Sequence, residues 1–425
     1  MPMPGRRILD MPLGRRFDPA RGQLGWLQRW YASQPLQRVV IAVLETDTPH
    51  EPRELEAAVR VLCARHHHAL GVCLERSPLR LRLRPLTAAD PAPWFDAEHA
   101  DLWQLAAALA HRPFEAGAPL FRFGLTTDRR HIVCAFDHLI ADGIAVSVFA
   151  SELARTLAGI PLPPATDDST LPLDARLDVR PTLLALARAV AHERQRGVVL
   201  APVSSPAPAR LRTRIAPYGL DSEHVTALIR QAREHRVTLH AVLAAAGLHA
   251  AHTALGHTHG RLRLSTPVSL RERCEPRPMG MGVFIGGIDT DLDLAAHPDA
   301  WGVAQCCMRD LEQKKPDAPR SVGLLVFAGD LVRLAHKREQ KKLGRTATLE
   351  VSNVGRVPDL PAGTRLWLTQ GAHYHGALWV LTVATSSSDG VLRCCLSFPE
   401  PLIDSAQASV FMQAFDEQLQ AMRHG

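Results

Sequence analysis

The stretch "AFDHLIADGIAV", residues 135–146, decides how the first part of the chain is interpreted. A hydrophobic run leads into it, and a segment with apolar residues at helical spacing follows it. His138 stands four residues before Asp142 and Gly143. The pattern predicts a strand that ends at the histidine, a short turn, and a helix that begins after the glycine.

Two interpretations of this turn follow from the residues. Asp142 is a favoured N-cap, because its carboxylate accepts the first free amides of a helix, and His138 is then only the end of a strand. Alternatively, His138 faces a cleft as a general base and takes a proton from a hydroxyl or amine that attacks a carbonyl. Asp142 is too short-tethered to act as a second base. If its carboxylate is buried it needs a partner, most naturally an arginine.

The composition is that of a soluble globular protein. The chain has 425 residues, of which 46% are hydrophobic and 22% charged, and a chain of this length suits two domains of roughly 200 residues. No apolar run approaches the ~20 residues that span a bilayer. The arginine-containing start has no hydrophobic segment after it, so we expect no signal peptide.

Several classes of site are disfavoured. The eight cysteines include two adjacent pairs, Cys306–Cys307 and Cys394–Cys395, and none stands in a Cys-x-x-Cys. A reduced cytoplasm fits better than a disulfide framework or a zinc site. The successive histidines of "RHHHAL" splay apart on a helix, so we expect no metal. The chain has no Gly-x-Ser-x-Gly, and "MGMGVFIGG" lacks dinucleotide-binding spacing.

The net charge of +6 leaves the partner open. Basic clusters could favour an anionic partner, or they are solvated surface. No aromatic residues interleave with them, so nucleic acid is not expected. For an acidic thioester donor, we place the contacts among four neighbouring basic residues: Lys337, Arg338, Lys341 and Lys342.

Helical and strand patterns interleave in both halves, which predicts the α/β class with mixed sheets. Proline-rich stretches at 160–174 and 201–210 mark the boundary. We therefore divide the chain into an N-terminal unit, a linker with a helix, and a C-terminal unit: 1–165, 166–209 and 210–425. The predicted strands are 38–45, 120–127, 131–138, 210–220, 261–269, 283–290, 347–352, 364–370, 376–384 and 390–398. The predicted helices are 51–66, 144–159, 221–236, 238–255, 297–313, 321–337 and 404–422.

His-x-x-x-Asp-Gly after a strand resembles the signature of the chloramphenicol-acetyltransferase-like superfamily, which includes condensation domains, wax ester synthases, alcohol acetyltransferases and polyketide-associated acyltransferases. Other stretches match in the expected order. These are "LEAAVRVLCARHHHAL", "HRPFEAGAPLFRFGL", "VTLHAVLAAAGLHAA", "LSTPVSLRER" and "LEVSNVGRV". Together they cover nearly the whole chain.

The resemblance implies two similar subdomains in a V, with the active site in the channel between them. It implies that His138 is the general base, that Asp142 is structural and that Arg271 pairs with it. Gly143 would let the donor arm approach the backbone.

Two departures from the family stand out. The first of the tandem motif histidines is Asp137 here, and the Asp-Phe-Gly-Trp-Gly element of some branches is replaced by "GAHYHGALWV" at 371–380. The second departure favours the polyketide-associated, wax ester synthase and alcohol acetyltransferase branches. His373 and His375 share one face of a strand there. They either line the channel or are ordinary strand residues.

The sequence therefore predicts a cytoplasmic, monomeric acyltransferase that moves an acyl group from coenzyme A or an acyl carrier protein to a hydroxyl acceptor. No covalent intermediate, metal or tightly bound cofactor is required, because the acyl thioester or phosphopantetheine-bound acyl group is itself the substrate. Asn353, Ser352 and His375 are the candidates for the oxyanion site or channel. Amide formation by a stand-alone condensation enzyme is one alternative. A non-catalytic module that docks carrier proteins is the other, and Asp137 is the feature that favours it.

Overall fold

The structure is a computed structural model that describes most of the chain. Four sets of predictions fall outside the described residues: the helix at 321–337, most of the linker at 166–209, the four basic donor residues, and His373 with His375. The described residues are 24–33, 38–77, 80–87, 95–115, 117–164, 173–177, 211–256, 261–275, 277–297, 299–319, 347–372 and 376–424.

The described helices are mostly capped by side chains that the sequence places at their starts. Asp101, Asp142, Asp221, Thr238 and Asp299 each accept a backbone amide of the first helical turn. Within the described part of the chain, no helix has both the length and the hydropathy to cross a membrane. The helices are α1 Trp26–Ser33, α2 Pro52–Arg65, α3 His67–Leu70, α4 Leu102–His111, α5 Gly143–Leu157, α6 Leu173–Arg176, α7 Ser222–Glu234, α8 Leu239–Ala254, α9 Ala300–Lys314 and α10 Ser405–His424.

The described strands form two large sheets and one hairpin. They are β1 Val39–Thr46, β2 Val72–Ser77, β3 Arg80–Pro85, β4 Phe95–His99, β5 Phe121–Thr126, β6 His131–Asp137, β7 Arg212–Leu220, β8 Arg261–Ser269, β9 Ile285–Asp293, β10 Ala347–Arg356, β11 Thr364–Gln370, β12 Ala377–Thr385 and β13 Leu392–Glu400.

The first sheet has the strand order β11-β1-β6-β5-β4, so the strand before His138 is its central strand. The sequence of β6, "HIVCAFD", is almost continuously apolar because all its residues after the first are buried. Helix α5 follows it and ends where Gly159 adopts a positive φ of 67°. Strand β11 comes from the C-terminal half, which the proposed division of the chain did not anticipate.

The second sheet has the strand order β7-β13-β12-β10-β8-β9 and contains both parallel and antiparallel pairs. The alanine-rich helix α8 is buried along most of its length and shares one core with α10. The chain is therefore an α/β protein with mixed sheets, as the sequence predicts. The domain boundaries stay a prediction, because most of the linker lies outside the described residues.

The long, periodic elements are confirmed and the short ones were missed. The structure contains every predicted strand and all the predicted helices that it describes, with ends that differ by a few residues. Sequence reasoning did not find α1, the β2–β3 hairpin, β4 or α4. These elements are short, and a weak period over five to ten residues does not separate a helix from a loop.

Candidate active site

The turn after β6 places His138 where the two halves of the chain meet. The His138 amide donates to the carbonyl of Arg38 at 2.8 Å, which extends the ladder between the two strands by one residue. Asp137, which replaces the first motif histidine, accepts the Leu139 amide through Oδ1 at 2.9 Å. Its carbonyl accepts the Ile140 amide at 3.0 Å. Asp137 therefore fixes the turn that carries the histidine.

The imidazole of His138 is buried and stacked on an aromatic ring. The Tyr31 ring from α1 lies parallel to it, with centroids 4.5 Å apart and planes 15° apart. The Tyr31 hydroxyl is 3.5 Å from Nε2. The side chain of His138 is only 7% exposed. Nδ1 makes no hydrogen bond to another residue in the described part of the chain.

Burial lowers the pKa of His138 from its ordinary range to about 4, and the positive charge of Arg38 adds to the effect. The carboxylates of Asp142 and Glu350 act in the opposite direction. The same burial raises the pKa of the Tyr31 hydroxyl far above its ordinary value. At neutral pH the site therefore holds a neutral imidazole and a protonated tyrosine.

Asp142 is both an N-cap and one partner of a buried ion pair. Its Oδ1 accepts the Ala145 amide at 2.8 Å, which caps α5, and it accepts Nη2 of Arg271 at 2.6 Å. Its Oδ2 accepts the Phe284 amide at 2.9 Å. The side chains of Asp142 and Arg271 are 1% and 4% exposed. The two sequence interpretations of Asp142 are therefore compatible.

Arg271 lies in a single 3₁₀ turn after β8, on the C-terminal half of the chain. Its guanidinium carbon is 4.7 Å from the centroid of the Phe284 ring, a distance at which the ring face attracts the cation. Neither Nε nor Nη1 has an acceptor among the residues that the structure describes. The ion pair with Asp142 and the aromatic face are thus the contacts that compensate a buried charge.

Gly143 begins α5 against the side chain of Val354 from β10. A Cβ at position 143 would lie 2.8 Å from Cγ2 of Val354, which is closer than such contacts normally come. The expected approach of a donor arm to this glycine stays a prediction. What the structure shows is that the glycine lets β10 pack on the start of α5.

Ser352 and Asn353, the oxyanion candidates, lie on the same strand β10 and are partly buried. Asn353 accepts the Gly355 amide through Oδ1 at 2.9 Å, at a position where the register of β10 against β12 shifts. Gly355 there has a φ of 83°. The strand therefore bulges next to the residue that contacts Gly143.

The histidine run after α2 contacts α5 and the segment before β9, where His68 Nε2 lies 3.4 Å from the carbonyl oxygen of Met281. His66 contacts Glu152 of α5, with Nε2 and Oε2 2.5 Å apart, and Arg65 donates to the same carboxylate at 2.8 Å. The rings of His67 and His68 meet edge to face. Over the described ranges, the structure brings no three His, Cys, Asp or Glu side chains together as metal ligands.

Four residues of the site escaped sequence reasoning: Tyr31, Arg38, Phe284 and Glu350. Glu350 is buried on β10 and accepts Nε2 of Gln370 at 2.9 Å. A charged residue inside an apolar strand pattern, "TLEVS", was the available signal for it. Tyr31 stood in a helix that the sequence did not reveal.

Comparison with known proteins bears on the fold of the chain. Residues 209–375 match the family model described as "Phthiocerol/phthiodiolone dimycocerosyl transferase C-terminus". No curated protein sequence matches the chain significantly. Polyketide synthase associated protein 5 from Mycobacterium tuberculosis superposes with a TM-score of 0.66 at 18% identity, covering 94% of this chain and 98% of that one. The chain has the condensation-domain fold.

Two further structures support this assignment. The cyclization-docking bidomain of a nonribosomal peptide synthetase from Sorangium cellulosum gives a TM-score of 0.67 at 16% identity, over 98% of this chain and 87% of that one. The epimerization domain of the third module of tyrocidine synthetase B gives 0.62 at 16% identity, over 94% and 95%. The fold that the resemblance implies is therefore confirmed.

The buried ion pair between Asp142 and Arg271 yields a stability prediction. Asp142→Asn keeps an N-cap acceptor but leaves the Arg271 charge buried without a counter-charge, so we expect a loss of about 3–5 kcal/mol in the free energy of unfolding. If capping were its only role, the variant would be nearly silent, because Asn caps about as well as Asp. The measurement is urea unfolding of Asp142→Asn, Arg271→Met and the double variant.

The double variant should cost clearly less than the sum of the two single ones, because removing the second partner removes the unpaired charge. Glu56→Gln is the control. It breaks the exposed helical pair between Arg60 and Glu56 and should change stability by no more than about 0.5 kcal/mol. Additive losses at positions 142 and 271 would show that the two side chains act independently.

The close packing of Gly143 yields a second prediction. Gly143→Ala should cost about 1–3 kcal/mol, because the new methyl group overlaps Val354. Val354→Ala in the same chain should recover most of that loss. The control is Gly302→Ala near the start of α9, where the added Cβ meets only ordinary contacts. The measurement is the urea unfolding midpoint of each variant. Equal effects of Gly143→Ala and Gly302→Ala would argue against a special packing role for Gly143.

Proposed function

We propose that the protein is an acyltransferase that moves an acyl group from a thioester to a hydroxyl acceptor, with His138 as general base. The observation that carries the proposal is the neutral, buried imidazole on the loop between β6 and α5. The same loop carries Asp142, which is paired with Arg271. A neutral imidazole can accept a proton directly. The match of the C-terminal half to an acyltransferase family favours acyl transfer over the other reactions that this fold carries.

The proposed reaction uses the two substrates and side chains of the protein. His138 removes the proton of the acceptor hydroxyl through Nε2 while the oxygen attacks the thioester carbonyl. The tetrahedral intermediate collapses as the carbon–sulfur bond breaks, and the imidazolium returns its proton to the thiolate. An ester and a free thiol leave, and the imidazole is neutral again. The thioester is already activated, so no acyl-enzyme is needed.

The negative charge on the carbonyl oxygen requires donors held in place beforehand. We assign this task to β10, where Ser352 and Asn353 lie immediately before the bulge, and where Val354 within the bulge reaches Gly143 at the start of α5. The Oδ1 of Asn353 is engaged by a backbone amide. We therefore assign the side-chain Nδ2 of Asn353 as the group that would donate a hydrogen bond to the substrate oxygen.

The donor is proposed to be an acyl group on coenzyme A or on an acyl carrier protein. Polyketide synthase associated protein 5 and a domain for "condensation domain-mediated chain release" from a polyketide synthase share the fold. The polyketide context of those proteins makes a carrier-bound acyl chain a reasonable donor to test. An amine in place of the hydroxyl would use the same base and give an amide.

The non-catalytic docking alternative rested on Asp137. The structure supplies a local reason for that residue, since it accepts the Leu139 amide and fixes the turn. A complex of a domain of this fold with OxyB has been described for teicoplanin biosynthesis. Docking without transfer therefore stays an outcome that the assay must be able to reveal.

The first functional prediction concerns His138 itself. His138→Ala should lower turnover by at least about 10²-fold, because proton transfer by a positioned base contributes that much or more. The assay incubates a panel of acyl-coenzyme A and acyl-carrier thioesters with alcohols and amines and identifies products by mass spectrometry. His235→Ala is the matched control, since His235 also stacks on an aromatic ring, Trp301, away from the site.

Turnover within about tenfold of the parent for His138→Ala would reject the general base. A parent protein that binds acyl carrier protein tightly but transfers nothing from any thioester would identify a docking module. Ester products identify a hydroxyl acceptor, and amide products identify an amine.

The low pKa of His138 predicts the pH dependence. A base with a pKa of about 4 is still about nine-tenths neutral at pH 5, whereas an ordinary histidine of pKa ~6.5 is only about one-thirtieth neutral there. We therefore expect kcat/KM to change little between pH 8 and pH 5 and to fall only near pH 4. An acid limb between pH 6 and 7 would contradict the burial of this base.

Two variants that each remove one charge should shift the acid limb of the kcat/KM pH profile in opposite directions. Arg38→Gln removes a positive charge that disfavours the imidazolium, so the pKa of His138 and the acid limb should rise. Glu350→Gln removes a negative charge that favours the imidazolium, so the limb should move to lower pH. Shifts in the same direction would show that these charges do not act on His138.

A further inference from the structure

Tyr31 is the nearest aromatic partner of the proposed base. Its ring lies parallel to the imidazole of His138 at a centroid distance of 4.5 Å, and both side chains are buried. Helix α1, which carries Tyr31, is also hydrogen-bonded to the loop between β6 and α5 that carries His138. Gln28 of the same helix donates Nε2 to the carbonyl of Leu139 at 3.4 Å, and Gly25 donates its amide to Oε1 of Gln28 at 3.0 Å.

Tyr31 contacts the face of the imidazole and not its edge. The nitrogen lone pair and the N–H bonds of an imidazole lie in the plane of the ring. With only 15° between the ring planes, the Tyr31 hydroxyl lies above that plane, 3.5 Å from Nε2. A hydrogen bond at this distance and direction is weak. The Tyr31 hydroxyl therefore does not occupy the in-plane direction at Nε2, from which an acceptor hydroxyl would have to approach.

The imidazole has few other means of keeping its orientation. A working histidine usually has its second ring nitrogen fixed by a carboxylate or a carbonyl of another residue. Within the described residues, Nδ1 of His138 has no such partner on another residue, and the backbone of His138 itself is the other hydrogen-bonding group that acts on the ring. Its backbone amide is held by the Arg38 carbonyl, but this contact does not fix rotation about the side-chain bonds. The flat ring of Tyr31 restricts that rotation, because a tilted imidazole would lose the stacking contact.

We propose that Tyr31 is the positioning residue of this site: its ring fixes the plane of the His138 imidazole and covers one face of it, while the hydroxyl is dispensable. The catalytic consequence rests on the proposed function, in which His138 is the general base. The structural consequence concerns only the environment of His138 and is measurable without any substrate.

The charged groups around His138 define what a change in that environment will do. Arg38 disfavours the imidazolium, whereas Asp142 and Glu350 favour it. Burial also disfavours the imidazolium and has a larger effect on the pKa than any of these three charges. Removing the Tyr31 ring admits water to one face without removing any of these charges. The pKa of His138 should then rise from about 4 toward its ordinary value.

The experiment compares Tyr31→Phe, which keeps the ring, with Tyr31→Ala, which removes it. Tyr218→Ala is the control, because Tyr218 packs on Phe415 and donates to Asp416, away from His138. The imidazole of His138 is titrated by NMR and assigned by its absence from the spectrum of His138→Ala. In parallel, kcat, donor KM and the pH profile are measured with the thioester that the parent uses.

We expect Tyr31→Ala to raise the pKa of His138 by more than one unit and to lower kcat by about 10–100-fold, since misplacing a catalytic group costs that much. Donor KM should change by less than about threefold. Tyr31→Phe should stay within about threefold of the parent in kcat and keep the low pKa. If Tyr31→Ala does not fold, Tyr31→Leu replaces it and should lower kcat while keeping the pKa low.

An unchanged titration and kcat in Tyr31→Ala would overturn the proposal, and so would a Tyr31→Phe variant as impaired as Tyr31→Ala, because the hydroxyl would then be the essential part. The two proposals fail separately. If His138→Ala retains activity, the general base is rejected, while the NMR titration still decides whether the Tyr31 ring controls the environment of His138.

Discussion

The buried carboxylate of Asp142 is the contact on which the rest of the site depends. It accepts the Ala145 amide of its own helix, the Arg271 guanidinium and the Phe284 amide. The first contact lies within the N-terminal half, and the other two come from the C-terminal half. A charge buried this deeply is tolerated only when its partners are in place. The turn that carries His138 can therefore take this form only when both halves are folded together.

The packing around that carboxylate joins the two halves in other ways. Val354 of β10 fills the space beside Gly143, and β11 from the C-terminal half pairs along its whole length with β1. Phe284 belongs to the same buried cluster as Phe136 and Phe149 of the first sheet. Each large sheet has its own buried core, but the core of the first sheet includes residues from both halves of the chain. A substitution at the junction of the halves is therefore expected to affect both stability and chemistry.

Burial of His138 has two opposing consequences for the proposed reaction. It keeps the imidazole neutral over a wide pH range, because the pKa is about 4. It also makes the imidazole a weaker base than one whose pKa lies near the working pH. The nearby carboxylates of Asp142 and Glu350 counteract this effect by stabilising the imidazolium that forms during proton transfer. In a site shielded from water, such charge interactions are stronger than they would be in solution.

The sequence by itself determined the long elements, the fold class and the residues of the motif. A continuous apolar run identified β6, apolar residues at helical spacing identified α5, and an alanine-rich segment identified α8, because buried elements need apolar residues on the faces that they bury. The sequence also pointed to an arginine partner for Asp142, since a buried carboxylate needs one. Only the tertiary structure decided that Tyr31 and Glu350 lie near His138, and that β11 from the C-terminal half joins the first sheet. These placements depend on contacts between segments more than a hundred residues apart, and no local pattern of a single sequence encodes which distant side chain will face a given histidine.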